Sequence, residues 1–388
     1  MKKLLISPSN MALGEQESQI YQNILKQSTE ISLNLMAVKV ENHPDDFLGW
    51  CYELLDVAKN RINFDLLDDH QLPTVKKLQD LLISAISFLQ VKTLRIAPWP
   101  VISEFIADRQ EILALEEQFK LMDYIATLRE TTLQEMIVED RLALAGKHTA
   151  KHDVSVYQFD TEWFGSTKSA KGFHQQLADL PALFDQALAH IPLEGPVTEA
   201  HYQAFMIAYL GAFNGSDEKP TLAPATRLLA MRRPDVFTPI SNNRLDALCQ
   251  AFGIARLNNR DFERYWVDIV QTIAKMPWFA MATETNELEG HLVKIKALIP
   301  TFFYYADKDT PTSSNYYKLL HKPKRASTSS GSRTVKRSKE SAATLVDRAL
   351  NDEAIPEHIK AKRDSIISEV EKGRSVDETI QLMRTIFG

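Results

Sequence analysis

Seven arginines fall between positions 227 and 264, at Arg227, Arg232, Arg233, Arg244, Arg256, Arg260 and Arg264. No lysine stands among them, and the window holds four carboxylates, Asp235, Asp246, Asp261 and Glu263. A guanidinium is a planar fork that grips phosphate or carboxylate through two parallel hydrogen bonds, whereas an ammonium is a point charge. An all-arginine window is therefore the composition a phosphate-reading surface would use. Its densest part is Thr226 to Arg233, followed by Thr238-Pro239-Ile240-Ser241-Asn242-Asn243-Arg244. Pro234 predicts the end of one helix, and Ser241 or Asn242 is the expected N-cap of the next. Free backbone N–H groups at Ser241, Asn242 and Asn243 could then hold an anion, with Arg232, Arg233 and Arg244 around it, and Arg227 joins them among the expected nucleic-acid-binding residues. The competing use of these arginines is structural, in pairs with the four carboxylates and with their stems laid over apolar surface.

The helix pair around Pro234 resembles a simple helix–turn–helix DNA-binding module, with a longer turn over residues 234–240. A second basic element lies further on. Residues 310–339 contain no Asp or Glu and carry eight Lys or Arg from Lys318 onward, among them Lys322, Lys324, Arg325, Lys336 and Arg337. Without those eight, 37 cations face 51 carboxylates in the rest of the chain (45 − 8 = 37), so a positive segment of +8 sits on a body near −14. Such a run, rich in Ser and Thr, reads as a flexible linker that would add sequence-independent phosphate affinity through counterion release.

Histidines offer a weaker chemistry. His148 and His152 are four apart, with Asp153 beside them, yet the HExxH glutamate of a helical zinc site is absent. Arg141 and His148, separated by six residues at the end of a helical pattern, resemble the Arg-to-His spacing of the HEPN class of helical ribonucleases. That resemblance implies RNA cleavage by this pair. Leu142 and Ala143 stand where that class carries a polar residue after the arginine. No GxxxxGK[ST], GxGxxG or GxSxG occurs, so no cofactor or metal is expected and neither nucleotide hydrolysis nor hydrolase chemistry has a motif.

The elements that must position these residues read as helices. Phe47, Cys51, Leu54, Leu55 and Ala58 recur at helical spacing, as do Leu78, Leu81, Leu82, Ala85, Ile86 and Leu89 after Pro73. Neither Gly nor Pro occurs from Val101 to Ala145. Phe105, Ile112, Phe119, Ala126 and Leu133 fall seven apart there, with Leu115, Met122, Met136 and Ala143 at partner positions, which predicts one long, coiled-coil-like helix. It belongs to an N-terminal helical bundle over residues 1–147 and offers a surface for self-association or a protein partner. A second compact helical, Arg-rich domain is expected over 154–305, where Tyr202, Phe205, Tyr209 and Phe213 form a core stripe. The basic linker of 310–340 leads to a small helical C-terminal unit over 341–388.

The expected fold class is thus mostly α, and the expected function is binding of nucleic acid, DNA in the first place, through sequence-independent phosphate contacts. A helical interaction scaffold and a helical ribonuclease are the alternatives. A bacterial multi-protein assembly or phage defence is the setting expected for such a protein. Cys51 and Cys249 lack a CxxC spacing and fit a reducing compartment. The apolar run after Met1-Lys2-Lys3 stops before Ser7-Pro8, and no long apolar stretch follows, so a cytoplasmic location without a membrane partner is expected.

Overall fold

The computed structural model describes residues 3–4, 8–31, 39–40, 46–69, 71–149, 157–306, 318, 321, 342–350, 355–371 and 376–387. The chain is mostly helical. Its described strands are two-residue pieces, β1 (Lys3–Leu4) and β2 (Lys39–Val40), paired antiparallel with Lys3 opposite Val40.

Helix α1 (Glu15–Glu30) carries Glu15 and Glu17 in its first turn, where carboxylates meet the positive end of the helix dipole. Helix α2 (Phe47–Asp56) is capped by Asp46, whose carboxylate accepts from the Gly49 N–H at 2.6 Å. Helix α3 (Leu72–Thr93) opens on Pro73 and buries Leu78, Leu82, Ala85, Ile86 and Leu89 of the stripe expected from the spacing, with Val75 added and Leu81 half-buried.

The stretch without Gly or Pro is not one helix. It divides into α4 (Trp99–Ala107), α5 (Gln110–Leu113), α6 (Leu115–Leu128) and α7 (Val138–Ala145). Ala114 takes the left-handed conformation, φ 49°, between α5 and α6, so the heptad register is lost there. Most of the expected seam is occupied by the chain itself. Leu115, Met122, Leu133, Met136 and Ala143 are buried, Phe105 stacks on Phe303 at 4.3 Å between ring centres, and Phe119 stacks on His291 at 4.9 Å.

Beyond α7 follow α8 (Lys171–Asp179), α9 (Pro181–Ala189), α10 (Glu199–Gly211), α11 (Leu222–Arg232) and α12 (Leu245–Phe252). The α10 stripe Tyr202, Phe205, Tyr209 and Phe213 is buried among Phe184, Phe237, Phe262, Tyr265 and Trp266. Residues 1–322 form one compact unit around a single apolar core, and the expected boundary between 147 and 154 lies inside it. Contacts across that boundary explain the fusion. From α3, Ser87 Oγ donates to the Tyr304 carbonyl at 2.9 Å and Gln90 Nε2 to the Tyr305 carbonyl at 3.0 Å.

The remaining residues, 323–388, form a second unit. Helices Ala342–Leu350, Glu357–Lys360, Arg363–Glu371 and Val376–Phe387 bury Val346, Ile359, Ile366 and Ile380 together. Among the described residues, no helix is long and apolar enough to cross a membrane.

Candidate functional site

The arginine-rich window folds mainly as a set of helix-end clamps. Arg227 is fully buried, and its guanidinium donates to four backbone carbonyls: Leu144 at 3.0 Å, Ala143 at 3.0 Å, Thr161 at 2.9 Å, and Trp163. The first two belong to the last turn of α7, whose carbonyls have no partner within the helix and carry the negative end of its dipole. Burial works against the Arg227 charge, and Asp160 and Glu162 offset part of that cost. Arg232 Nε donates to the Ile191 carbonyl, just past α9, at 2.7 Å. Arg233 grips Asp235 through two bonds of 2.8 Å and also donates to the carbonyls of Pro192 at 3.0 Å and Gly195 at 2.9 Å. For the phosphate role expected of these three, the donors of Arg227 and Arg233 are engaged by the chain's own carbonyls and by Asp235, and Arg232 gives its Nε to a carbonyl.

Outside the window Arg129 does the same for α11, donating from Nε to the Met231 carbonyl at 2.8 Å. Arg256 pairs with Asp246 and Arg264 with Asp268, at 2.8 and 2.7 Å.

Arg244 is different. The helix expected to start at Ser241 or Asn242 begins at Leu245, with Arg244 at the N-cap and Ser241, Asn242 and Asn243 in the turn before it. Its guanidinium lies over the Tyr304 ring, 4.4 Å from the centroid, as a cation–π pair. Among the described residues that guanidinium has no hydrogen-bond or ion-pair partner. Burial disfavours its charge, while Tyr304 and Tyr305 favour it.

Ser241, Asn242, Asn243 and Arg244 line a cleft of about 920 Å³. Its other walls come from residues 160–173, 218–224 and 301–305, with Gln118 of α6 also lining it. Lys168, Lys171 and Lys219 bring positive charge and are exposed; Asp160, Glu162 and Glu218 bring negative charge. The cleft is therefore a mixed surface with an aromatic wall, large enough for a ligand of nucleotide size or more.

The order of the 160–173 wall rests on Thr167. Its N–H donates to the Gly146 carbonyl at 2.9 Å, and its hydroxyl donates to the Ala145 carbonyl at the end of α7. His174 Nε2 lies 2.9 Å from that hydroxyl oxygen and 3.1 Å from the Thr167 carbonyl. The hydroxyl proton already goes to Ala145, so the network assigns the ring proton to Nε2 and leaves Nδ1 bare, buried and without a partner among the described residues. Burial and nearby Lys147 pull the His174 pKa down to about 4.

The expected pair Arg141 and His148 faces separate partners. Arg141 donates back to the Met136 carbonyl at 3.1 Å, whereas His148 Nδ1 lies 3.4 Å from Asp160 Oδ1 and accepts from the Thr161 N–H at 3.3 Å. His152, Asp153, Lys322, Lys324, Arg325, Lys336 and Arg337 lie outside the described residues. The spacing of charges in the sequence did not reveal Gln118, Lys168, Lys219, Tyr304 or Tyr305, which reach the cleft from separate parts of the chain. Comparison with protein-family models, with curated proteins and with solved structures finds no match to this chain.

Proposed function

We propose that this protein binds nucleic acid, with the cleft beside Arg244 as the place where the ligand is held. The observation that carries this reading is the unpaired guanidinium of Arg244, braced by Tyr304 at the wall of a cleft that also has Lys168, Lys171 and Lys219. A partly desolvated cation without a counter-charge gains more from an arriving anion than one already paired, because the desolvation cost has been met in folding. Asn242 and Asn243 are exposed beside it and supply side-chain amide donors for phosphate or sugar oxygens. The acid-free basic run of residues 310–339 favours the same class of ligand, since its charge would draw in a polyanion without reading sequence.

The test is fluorescence anisotropy of the full chain with labelled double-stranded DNA and single-stranded RNA across a salt series. Binding should weaken steeply with salt. Arg244→Ala should lower affinity about tenfold and reduce the salt slope by about one. No binding at low salt, or an Arg244→Ala protein that melts normally and binds as before, would overturn the reading.

A further inference from the structure

The floor of the cleft asks for something that a phosphate group does not have. Gln118 is 1% exposed; its Nε2 donates to the Leu113 carbonyl at 2.6 Å and reaches Tyr305 Oη at 3.5 Å. Its Oε1 accepts no hydrogen bond among the described residues. An amide oxygen of a cleft-lining residue that has no donor is a strong acceptor in a medium of low dielectric. Phosphodiester oxygens only accept, so a backbone phosphate in the cleft would leave Gln118 Oε1 as it is.

Tyr305 joins the parts of this floor. It receives Gln118, and its charge environment includes both Arg244 and Asp160. Its hydroxyl proton has no acceptor among the described residues. The floor thus sets an acceptor, Gln118 Oε1, beside a donor, the Tyr305 hydroxyl, with the Arg244 fork close by. Tyr304 stands beside them, one ring face taken by Arg244. A neighbouring acceptor and donor are the complement of a nucleobase edge, where N–H donors and ring or carbonyl acceptors alternate on a flat group.

On the reading that this cleft binds nucleic acid, we infer that its floor takes an unpaired nucleobase, so the ligand is single-stranded nucleic acid or a strand with an exposed base. In a duplex, the donors of the base-pairing edge are already engaged by the opposite strand, and bringing a base into a recess requires unstacking it. A single strand presents the edge without that cost. Arg244 and the exposed lysines then serve the adjoining phosphates, and Gln118 and Tyr305 read the base.

The experiment uses the full chain, a labelled single strand of about 12 nucleotides and the blunt duplex of the same sequence at one low salt concentration. The single strand should bind about tenfold more tightly than the duplex. Gln118→Leu and Tyr305→Phe should each weaken single-strand binding about tenfold and leave duplex binding where it was. Thermal melting identifies a variant that has lost its fold. Tyr305→Phe removes only a hydroxyl and remains informative if Gln118→Leu, which also loses the Leu113 bond, does not fold. Equal affinity for the two strand forms, or folded variants that bind the single strand like the parent, would overturn this inference while the nucleic-acid reading stands. If neither form binds, both fail.

Discussion

Arg227 packs so closely on Gly146 that a Cβ at the glycine would sit 3.1 Å from Arg227 Nε, and only 2.6 Å from the Gly165 carbonyl oxygen. Gly146 ends α7 with φ +81°, its N–H donating to the Ala143 carbonyl at 3.1 Å and the Lys147 N–H donating to Leu142 at 2.9 Å. One position therefore combines a left-handed backbone with a contact that leaves no room for a side chain. Gly146→Ala is expected to destabilise the 1–322 unit by about 3 kcal/mol, the strain of the conformation plus the displacement of Gly165. Gly195 provides the control. Its φ is +73° with nothing within 4 Å of an added Cβ, so Gly195→Ala should cost only about 1 kcal/mol. Urea unfolding of both variants measures the difference.

Loss of the Arg227 side chain should be more damaging than loss of any other arginine in the window. Arg227→Met would remove at once the donors that Arg227 gives to the carbonyls of Ala143, Leu144, Thr161 and Trp163, of which Ala143 keeps the Gly146 N–H, and is expected to cost about 4 kcal/mol. Arg227→Lys should rescue little, since one ammonium cannot reach acceptors arranged around a planar fork. Arg256→Ala, which breaks an exposed pair with Asp246, should change stability by less than about 1 kcal/mol. Denaturation midpoints of the three variants test this order.

That ranking also shows what a reading of the sequence could reach. The helical stripes of α3 and α10 were legible because burial of one face leaves a periodic trace in residue type. Arg227 left no such trace. Its acceptors lie in the 143–163 region, far back in the chain, and composition records a charge without recording what the charge meets. The same limit applies to the heptad pattern, where Leu115, Met122 and Leu133 were rightly apolar but face the chain's own core across the turn at Ala114. In the cleft, Ser241 to Arg244 stood out as a cluster. Gln118 and Tyr305 did not, because a single glutamine and a single tyrosine become a pair only when the fold brings together positions 187 apart.

The His174 network sets a pH dependence. Its pKa falls from 6.5 to about 4 on folding, so between these values the unfolded chain binds the extra proton and the folded chain does not. The sign is fixed by that difference: stability is constant above about pH 6.5, falls as the pH drops through the interval, and levels off below about 4, with a total change of about 3 kcal/mol from this group. His174→Gln, which keeps a donor for Thr167 and cannot titrate, should flatten the profile between pH 4 and 6.5 relative to the parent. Urea midpoints recorded across this range decide it; a parallel decline in both proteins would exclude His174 as the source.

The bonds from Ser87 and Gln90 to the carbonyls of Tyr304 and Tyr305 have a consequence for how the protein is made. During synthesis α3 and Gln118 leave the ribosome early, and Arg244 follows, yet the two tyrosines that brace and complete the cleft come close to the end of the unit. Contacts spanning such long stretches of chain form late, after the local helices have collapsed. A growing chain therefore has the walls built from earlier residues well before it has the one that carries Tyr304 and Tyr305, and the cleft is complete only when the closing segment docks on α3.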